Sequence, residues 1–160
     1  MTSRQAAMRL CREDTIKEQK MSHIYKRRAN YYETDMMGIV HHSNHIRYFE
    51  EARLDYMKSF GCDVLEMEKE GIIIPNVDAY AKYYIPVRFG EEVDIEVSLT
   101  TFNGIKMEYT FTMRKQNGEL AAEGHTMHCF VKSNFRPISL KKAFPEYYQK
   151  LLAHLEPKEE

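Results

Sequence analysis

The sequence predicts an α+β fold in which one long antiparallel sheet wraps around a single central helix. Three features carry that expectation. First, Val93, Ile95, Val97 and Leu99 alternate with Asp94, Glu96, Ser98 and Thr100, and Ile105, Met107, Tyr109, Phe111 and Met113 alternate with Lys106, Glu108, Thr110 and Thr112. A strict period of two over such lengths marks half-buried strands. Second, Asn103-Gly104 joins these two runs and Asn117-Gly118 joins the second to another apolar run over 120–131. Asn-Gly favours the type I′ hairpin, so the three runs form a meander. Third, residues 44–60 read as a helix with too much apolar surface for an exposed position. At 100° per residue, Ile46, Tyr48, Phe49, Ala52, Leu54, Tyr56, Met57 and Phe60 cover roughly 240°, against ~100° for an ordinary surface helix. Enclosure on most sides requires a sheet that curls around it.

The remaining elements follow in chain order. Tyr25, Tyr31 and Tyr32 favour a strand over 24–33, and a loop containing Gly38 follows. Ser43 or Asn44 is positioned to cap the helix and Gly61 to end it. A strand over 77–85 is terminated by Pro86, and a short helix over 140–155 closes the chain. The expected order is one strand, the enclosed helix, then four strands. Residues 1–22 are polar and read as a loosely attached extension, 23–155 as one domain, and 156–160 as a Glu-rich tail.

Composition narrows the function. A 160-residue chain with 43% hydrophobic residues supports one real core, which excludes a wholly disordered protein. Lys and Arg total 23 against 24 Asp and Glu, so the basic excess of a nucleic-acid binder is missing. Cys11, Cys62 and Cys129 are too few and too scattered for a disulfide framework or a Cys-x-x-Cys metal site. The longest clean apolar run is Ile72-Ile73-Ile74, far below the ~20 residues that span a bilayer. The N-terminal residues Arg4, Arg9, Arg12, Glu13 and Asp14 surround no apolar signal core. The expectation is a cytoplasmic protein without membrane insertion.

The chemistry concentrates in residues 31–53, YYETDMMGIVHHSNHIRYFEEAR. Asp35 lies in a loop, and His41, His42 and His45 follow at the start of the enclosed helix. A helix start offers unpaired N–H groups and the positive end of the dipole, which can hold a developing oxyanion. A carboxylate beside it could activate water or attack directly. Such parts suit hydrolysis of an activated carbonyl. No Gly-x-Ser-x-Gly elbow and no phosphate-cradling glycine loop is present. Taken alone, Asp35 could equally be a turn residue, and His42 a structural hydrogen-bonder. Only His41 and His45 share a helical i, i+4 spacing, and no His-Glu-x-x-His pattern occurs, so neither a metal nor another cofactor is expected. Glu50 and Arg53 fall i, i+3 inside the apolar arc and read as a buried or interfacial ion pair.

The runs Y-x-x-T-D-x-x-G-x-V and H-x-N-x-x-x-Y-F-E-x-A-R closely resemble the hotdog-fold acyl-CoA thioesterases of the 4-hydroxybenzoyl-CoA thioesterase type, including the group associated with the Tol-Pal system. Softer similarity continues through AKYYIPVRFGEEVDIEVSL and RPISL, covering about residues 24–150. The resemblance implies a hotdog fold and a homodimer or homotetramer. It places Asp35 on the catalytic carboxylate, with His42, Tyr31 and Glu50 as further catalytic positions. It also implies that amides near His42 polarise the thioester carbonyl. Gly38, Val40 and His45 would border the acyl group, and many relatives carry Tyr where this chain has His45. Arg88 and Arg136, with Lys132, would meet the phosphates of coenzyme A. The implied activity is metal-independent hydrolysis of an acyl-CoA. An acyl-carrier-protein thioesterase and a non-catalytic acyl-CoA-binding module are the alternatives.

Overall fold

A computed structural model describes residues 22–157. The expected extension at 1–22 therefore lies outside the described residues, apart from Ser22, which begins the first strand. The elements are β1 (Ser22–Arg28), a 3-10 turn (Tyr31–Glu33), α1 (His42–Ser59), α2 (Val64–Lys69), β2 (Asn76–Tyr83), β3 (Glu92–Phe102), β4 (Lys106–Lys115), β5 (Leu120–Cys129), α3 (Leu140–Ala143) and α4 (Pro145–Ala153). The strands form one antiparallel sheet in the order β1-β3-β4-β5-β2. This is the α+β hotdog arrangement: α1 lies against the sheet, and its Phe49 ring stacks on Phe111 of β4 at 4.6 Å.

The period-two runs follow their pattern except at Ser98, expected outward but buried, and Ile105, expected inward but exposed ahead of β4. Val93, Ile95, Val97 and Leu99 of β3 and Met107, Tyr109, Phe111 and Met113 of β4 all point inward and are buried. Cross-strand register pairs Ile95 with Met113, Val97 with Phe111 and Leu99 with Tyr109, so each inward residue packs on an inward neighbour. At Gly124 of β5 a Cβ would sit 2.2 Å from the Tyr80 carbonyl oxygen and 2.6 Å from the Phe49 ring. Only glycine lets β2 and α1 approach β5 this closely.

Several local expectations are corrected. Both Asn-Gly turns place only the glycine at positive φ, so neither is type I′, which needs it at both central residues. At 117–118 the Lys115 and Glu119 backbones pair and Gly118 donates to the Lys115 carbonyl, giving a three-residue loop with a left-handed glycine. The first strand stops at Arg28 rather than at 33. The Glu33 carboxylate turns inward and accepts from the Asn30 N–H at 2.7 Å, which pulls the chain out of the sheet. α1 begins at His42, and its N-cap is His41, whose ring accepts from the Ser43 N–H. Gly61 follows the C-cap Phe60 at positive φ, as expected. The single C-terminal helix is two, because Pro145 starts a new one at a position where its missing N–H costs nothing. The turn of helix at α2, capped by Asp63, had no counterpart in the sequence reading.

The helix is also less enclosed than its apolar arc implied. Its buried residues are His45, Tyr48, Phe49, Ala52, Arg53, Tyr56 and Met57, which span roughly 180° at 100° per residue. Leu54 and Glu50 lie on an uncovered flank.

Candidate active site

Asp35 sits in a loop that the backbone closes tightly. Its N–H donates to the Ile39 carbonyl at 3.0 Å, and its own carbonyl accepts from the Gly38 N–H at 2.9 Å. Its carboxylate Oδ1 accepts from the Met37 N–H at 2.8 Å, while Oδ2 takes no hydrogen bond from the described residues. Asp35 is thus an Asx-turn residue as well as a free acceptor. The turn role weighed from sequence is the one these contacts show.

The loop is tied to the start of α1 by Glu33, a buried carboxylate. Glu33 accepts from the Tyr48 hydroxyl at 2.6 Å and pairs with Arg27. Its backbone carbonyl accepts from Asn44 Nδ2 at 2.8 Å and from the His41 N–H at 2.8 Å. Arg27 also pairs with Glu51 at 2.7 Å and lies over the Tyr48 ring. Both burial and the negative neighbour Glu33 push the Tyr48 hydroxyl's pKa up, so it stays a donor. Sequence reasoning missed Glu33 as a positioning group. Its signal was a charged residue two places before the loop aspartate, with Asn44 and Tyr48 on the facing helix.

At the helix start the amides are unequally engaged. The His41 N–H is taken by Glu33, that of Ser43 by the His41 ring and that of Asn44 by the His41 carbonyl. The His42 N–H donates to none of the described residues. It stands at the positive end of an 18-residue helix, where a backbone donor and the dipole act together. Tyr83, from the edge strand β2, donates to the His42 carbonyl at 3.2 Å and sets its ring edge-on against His45 at 4.8 Å. No sequence signal singled Tyr83 out, because the pairing spans 41 residues.

These groups border one cavity of about 330 Å³, whose lining includes Asp35, Val40, His42, His45, Tyr83 and Pro86. Burial pushes the His45 imidazole's pKa down, partly offset by the His41 and His42 backbone carbonyls. His45 is therefore a neutral wall near pH 7. The structure thus brings Asp35, His42, His45 and Val40 together. Gly38 is exposed in the same loop, and its carbonyl accepts weakly from Arg88 at 3.4 Å.

Four expected site residues stand apart within the protomer. The Tyr31 ring is 75% exposed and packs edge-on against Phe89, outside the cavity. Arg136, with Lys132, is exposed in a turn after β5, and neither lines the cavity. Glu50 is 63% exposed and lies 3.9 Å from Arg53, in a second cavity. Of the pair expected to be buried or interfacial, Arg53 is buried within the protomer and Glu50 is not. Among the described residues no group of three His, Cys, Asp or Glu is placed to hold a metal ion. No helix among them is long and apolar enough to cross a membrane.

An open-edged sheet around one helix, with a carboxylate loop at the helix start, defines a class. The sequence profile of the thioesterase-like superfamily matches residues 30–152, and the chain belongs to that superfamily. It is 35% identical to YneP of Bacillus subtilis, a protein provisionally described as an acyl-CoA thioesterase, over 75% of this chain and 88% of that one. It is 27% identical to the acyl-CoA thioester hydrolase YbgC of Escherichia coli, over 72% of this chain and 87% of that one. The crystal structure of a DHNA-CoA thioesterase from Staphylococcus aureus superposes with a TM-score of 0.78 at 34% identity, covering 82% of this chain and 91% of that one.

Proposed function

We propose that the protein is a thioester hydrolase acting on acyl-CoA in the cytoplasm, with Asp35 as the reacting carboxylate. The observation that carries this reading is the shared cavity: Asp35 and His42, whose N–H donates to none of the described residues, border the same space at the positive end of α1. A thioester carbonyl there has an oxyanion donor on one side and a carboxylate, with one oxygen unengaged, on the other. Asp35 acts either as base toward water or as nucleophile on the carbonyl carbon. His42 orients water or the carboxylate, and Arg88 beside Gly38 is placed for the phosphates of coenzyme A. No metal takes part. The relatives' described activities support the acyl-CoA assignment.

The working unit is at least a dimer. β2 is an edge strand whose outer side has no partner among the described residues, and Val77 and Tyr80 on it are about half exposed. Long unpaired edges recruit another strand. Joining β2 edges would bring each partner beside the other's Tyr83. Light scattering should give at least twice the 19.0 kDa chain mass; a fully active monomer overturns the dimer.

The deciding experiment is a panel of short, long and aromatic acyl-CoAs, with released thiol measured with and without a strong chelator. Turnover of at least one class, unaffected by chelation, is expected. Tight binding without turnover would make the protein an acyl-CoA-binding module instead.

A further inference from the structure

A second cavity, of about 110 Å³, lies further along α1 and is lined chiefly by Ile46, Glu50, Arg53, Asn76, Thr126 and His128. On α1, His42 and His45 face the first cavity, and Ile46, Glu50 and Arg53 the second. On β2, Tyr83 lines the first and Asn76 the second. From His42 to Arg53 the helix rises about 16 Å. An acyl chain whose carbonyl sits at the helix start and whose tail follows α1 therefore runs toward Arg53.

The two cavities differ in what they offer a tail. The first has apolar walls at Ile39, Val40, Ile85 and Pro86. In the second, the Arg53 side chain is 5% exposed, and its partners among the described residues are the Met57 sulfur at 3.5 Å and the Glu50 carboxylate at 3.9 Å. His128, also buried, engages Thr126 through Nε2 at 2.9 Å and leaves Nδ1 without a hydrogen-bond partner among the described residues. A methylene chain pressed into this space displaces water from these groups and gives nothing in return, which is costly for buried polar atoms. A hydroxyl can both donate to Glu50 and accept from Arg53.

We propose that this cavity is the far wall of the acyl site, where Arg53 and His128 stop plain alkyl chains and admit a chain that ends in a hydroxyl. The inference rests on the acyl-CoA thioesterase reading and adds the substrate class to it.

The test compares kcat/KM across straight-chain acyl-CoAs from butyryl to dodecanoyl, and across their terminally hydroxylated counterparts, in the wild type, Arg53→Met and His128→Leu. In an apolar site each added methylene is worth roughly fourfold. In the wild type that gain should end, and reverse, at the length that reaches Arg53, while the hydroxylated acyl-CoA of that length exceeds the plain one by about tenfold. Arg53→Met should let the gain continue over the next methylenes and lower the hydroxyl preference by about tenfold. His128→Leu, on a different element, should shift the ratio the same way and serves if Arg53→Met does not fold by circular dichroism. Equal rejection of plain and hydroxylated chains would mean a steric wall and overturns the proposal, as does an uninterrupted gain with length. Failure to hydrolyse any member overturns the thioesterase reading itself, which is a different outcome from turnover without a length break.

Discussion

Two buried charges, one packed at the start of α1 and one on the helix itself, are treated in opposite ways. Glu33, under the Asp35 loop, is met by Arg27, the Tyr48 hydroxyl and the Asn30 N–H. Arg53, two turns beyond His45, has a thioether sulfur within hydrogen-bonding reach and a mostly exposed carboxylate beyond it. A fully partnered buried charge fixes geometry, and an under-partnered one raises the free energy of its surroundings. The first is what a loop needs if its carboxylate must stay within reach of a helix N-terminus. The second is tolerable only where stability is given up for something else. The neighbour of Arg53 shows the same stress: burial, and then the Arg53 charge, push the His128 pKa down to about 3.

The largest expected effect tests what the Glu33 side is for. Asp35→Asn keeps the volume and the Asx-turn acceptor but loses the ionised carboxylate. Loss of general-base catalysis alone typically costs ~10²–10⁴-fold, so kcat should fall by at least that much. The circular dichroism spectrum should not change, because the Glu33 network is untouched. A folded variant with near-wild-type kcat would remove Asp35 from the mechanism. His42→Ala should lose less than Asp35→Asn, since the backbone N–H at that position survives.

Glu33→Gln breaks the partnered side itself. It leaves Arg27 with Glu51 alone and Tyr48 without its carboxylate, and should cost about 3 kcal/mol, the low end for breaking a buried pair. Urea denaturation measures this. If the network positions Asp35, kcat falls in the same variant with little change in KM; loss of stability with kcat intact would make Glu33 purely structural.

Acid tests the other side. The His128 pKa is about 3 in the fold, against ~6.5 in an unfolded chain. Between those values the unfolded chain binds the proton and the folded one does not. Stability therefore rises with pH across that window and is lost as pH falls below ~6.5. At pH 5 this one group removes about 2 kcal/mol. The lowered pKa of His45 acts in the same direction. Melting temperatures measured from pH 7 to 5 should fall for the wild type and fall less for His128→Leu. Parallel curves would show that His128 is not the titrating group.

The contrast between the two charges also marks how far sequence could reach. The meander was legible because β3 and β4 alternate without a break, and α1 because its apolar arc was too wide for a surface helix. For Asp35 and His42 the loop and the helix start left a turn residue and a structural histidine equally open, and it was the resemblance of the 31–53 run to a known family that singled them out. Glu33, Tyr83 and His128 were not legible. Each acts through partners 15, 41 or more residues away, or through a cross-element cavity, and no local period records such contacts. Glu50 was misplaced for a related reason. It sits at the rim of the apolar arc, and whether a rim residue is covered depends on what the sheet does there. The sheet ends at β2, so that flank of the helix stays open.

The smallest effect is the one that decides between the two kinds of buried charge. The wide apolar arc suggested that removing Arg53 would strand Glu50 as a buried uncompensated charge. With Glu50 63% exposed, nothing is stranded: its carboxylate keeps its water. Arg53 itself carries the desolvation penalty, and burial pushes its pKa down accordingly. Replacing an under-partnered buried charge by an apolar side chain of similar length is often neutral or stabilising. Arg53→Met should therefore change stability by no more than about 1 kcal/mol, with stabilisation the expected sign. It should also relax His128, whose lowered pKa owes its second contribution to Arg53, so the acid dependence flattens in the same variant. Arg53→Ala, which leaves a void beside Met57, should be less stable than Arg53→Met. A loss of 3 kcal/mol or more in Arg53→Met, measured on the assembled protein, would be the size expected for breaking a complete buried ion pair. It would mean that Arg53 gains an anionic partner on assembly, and the two buried charges would then be alike.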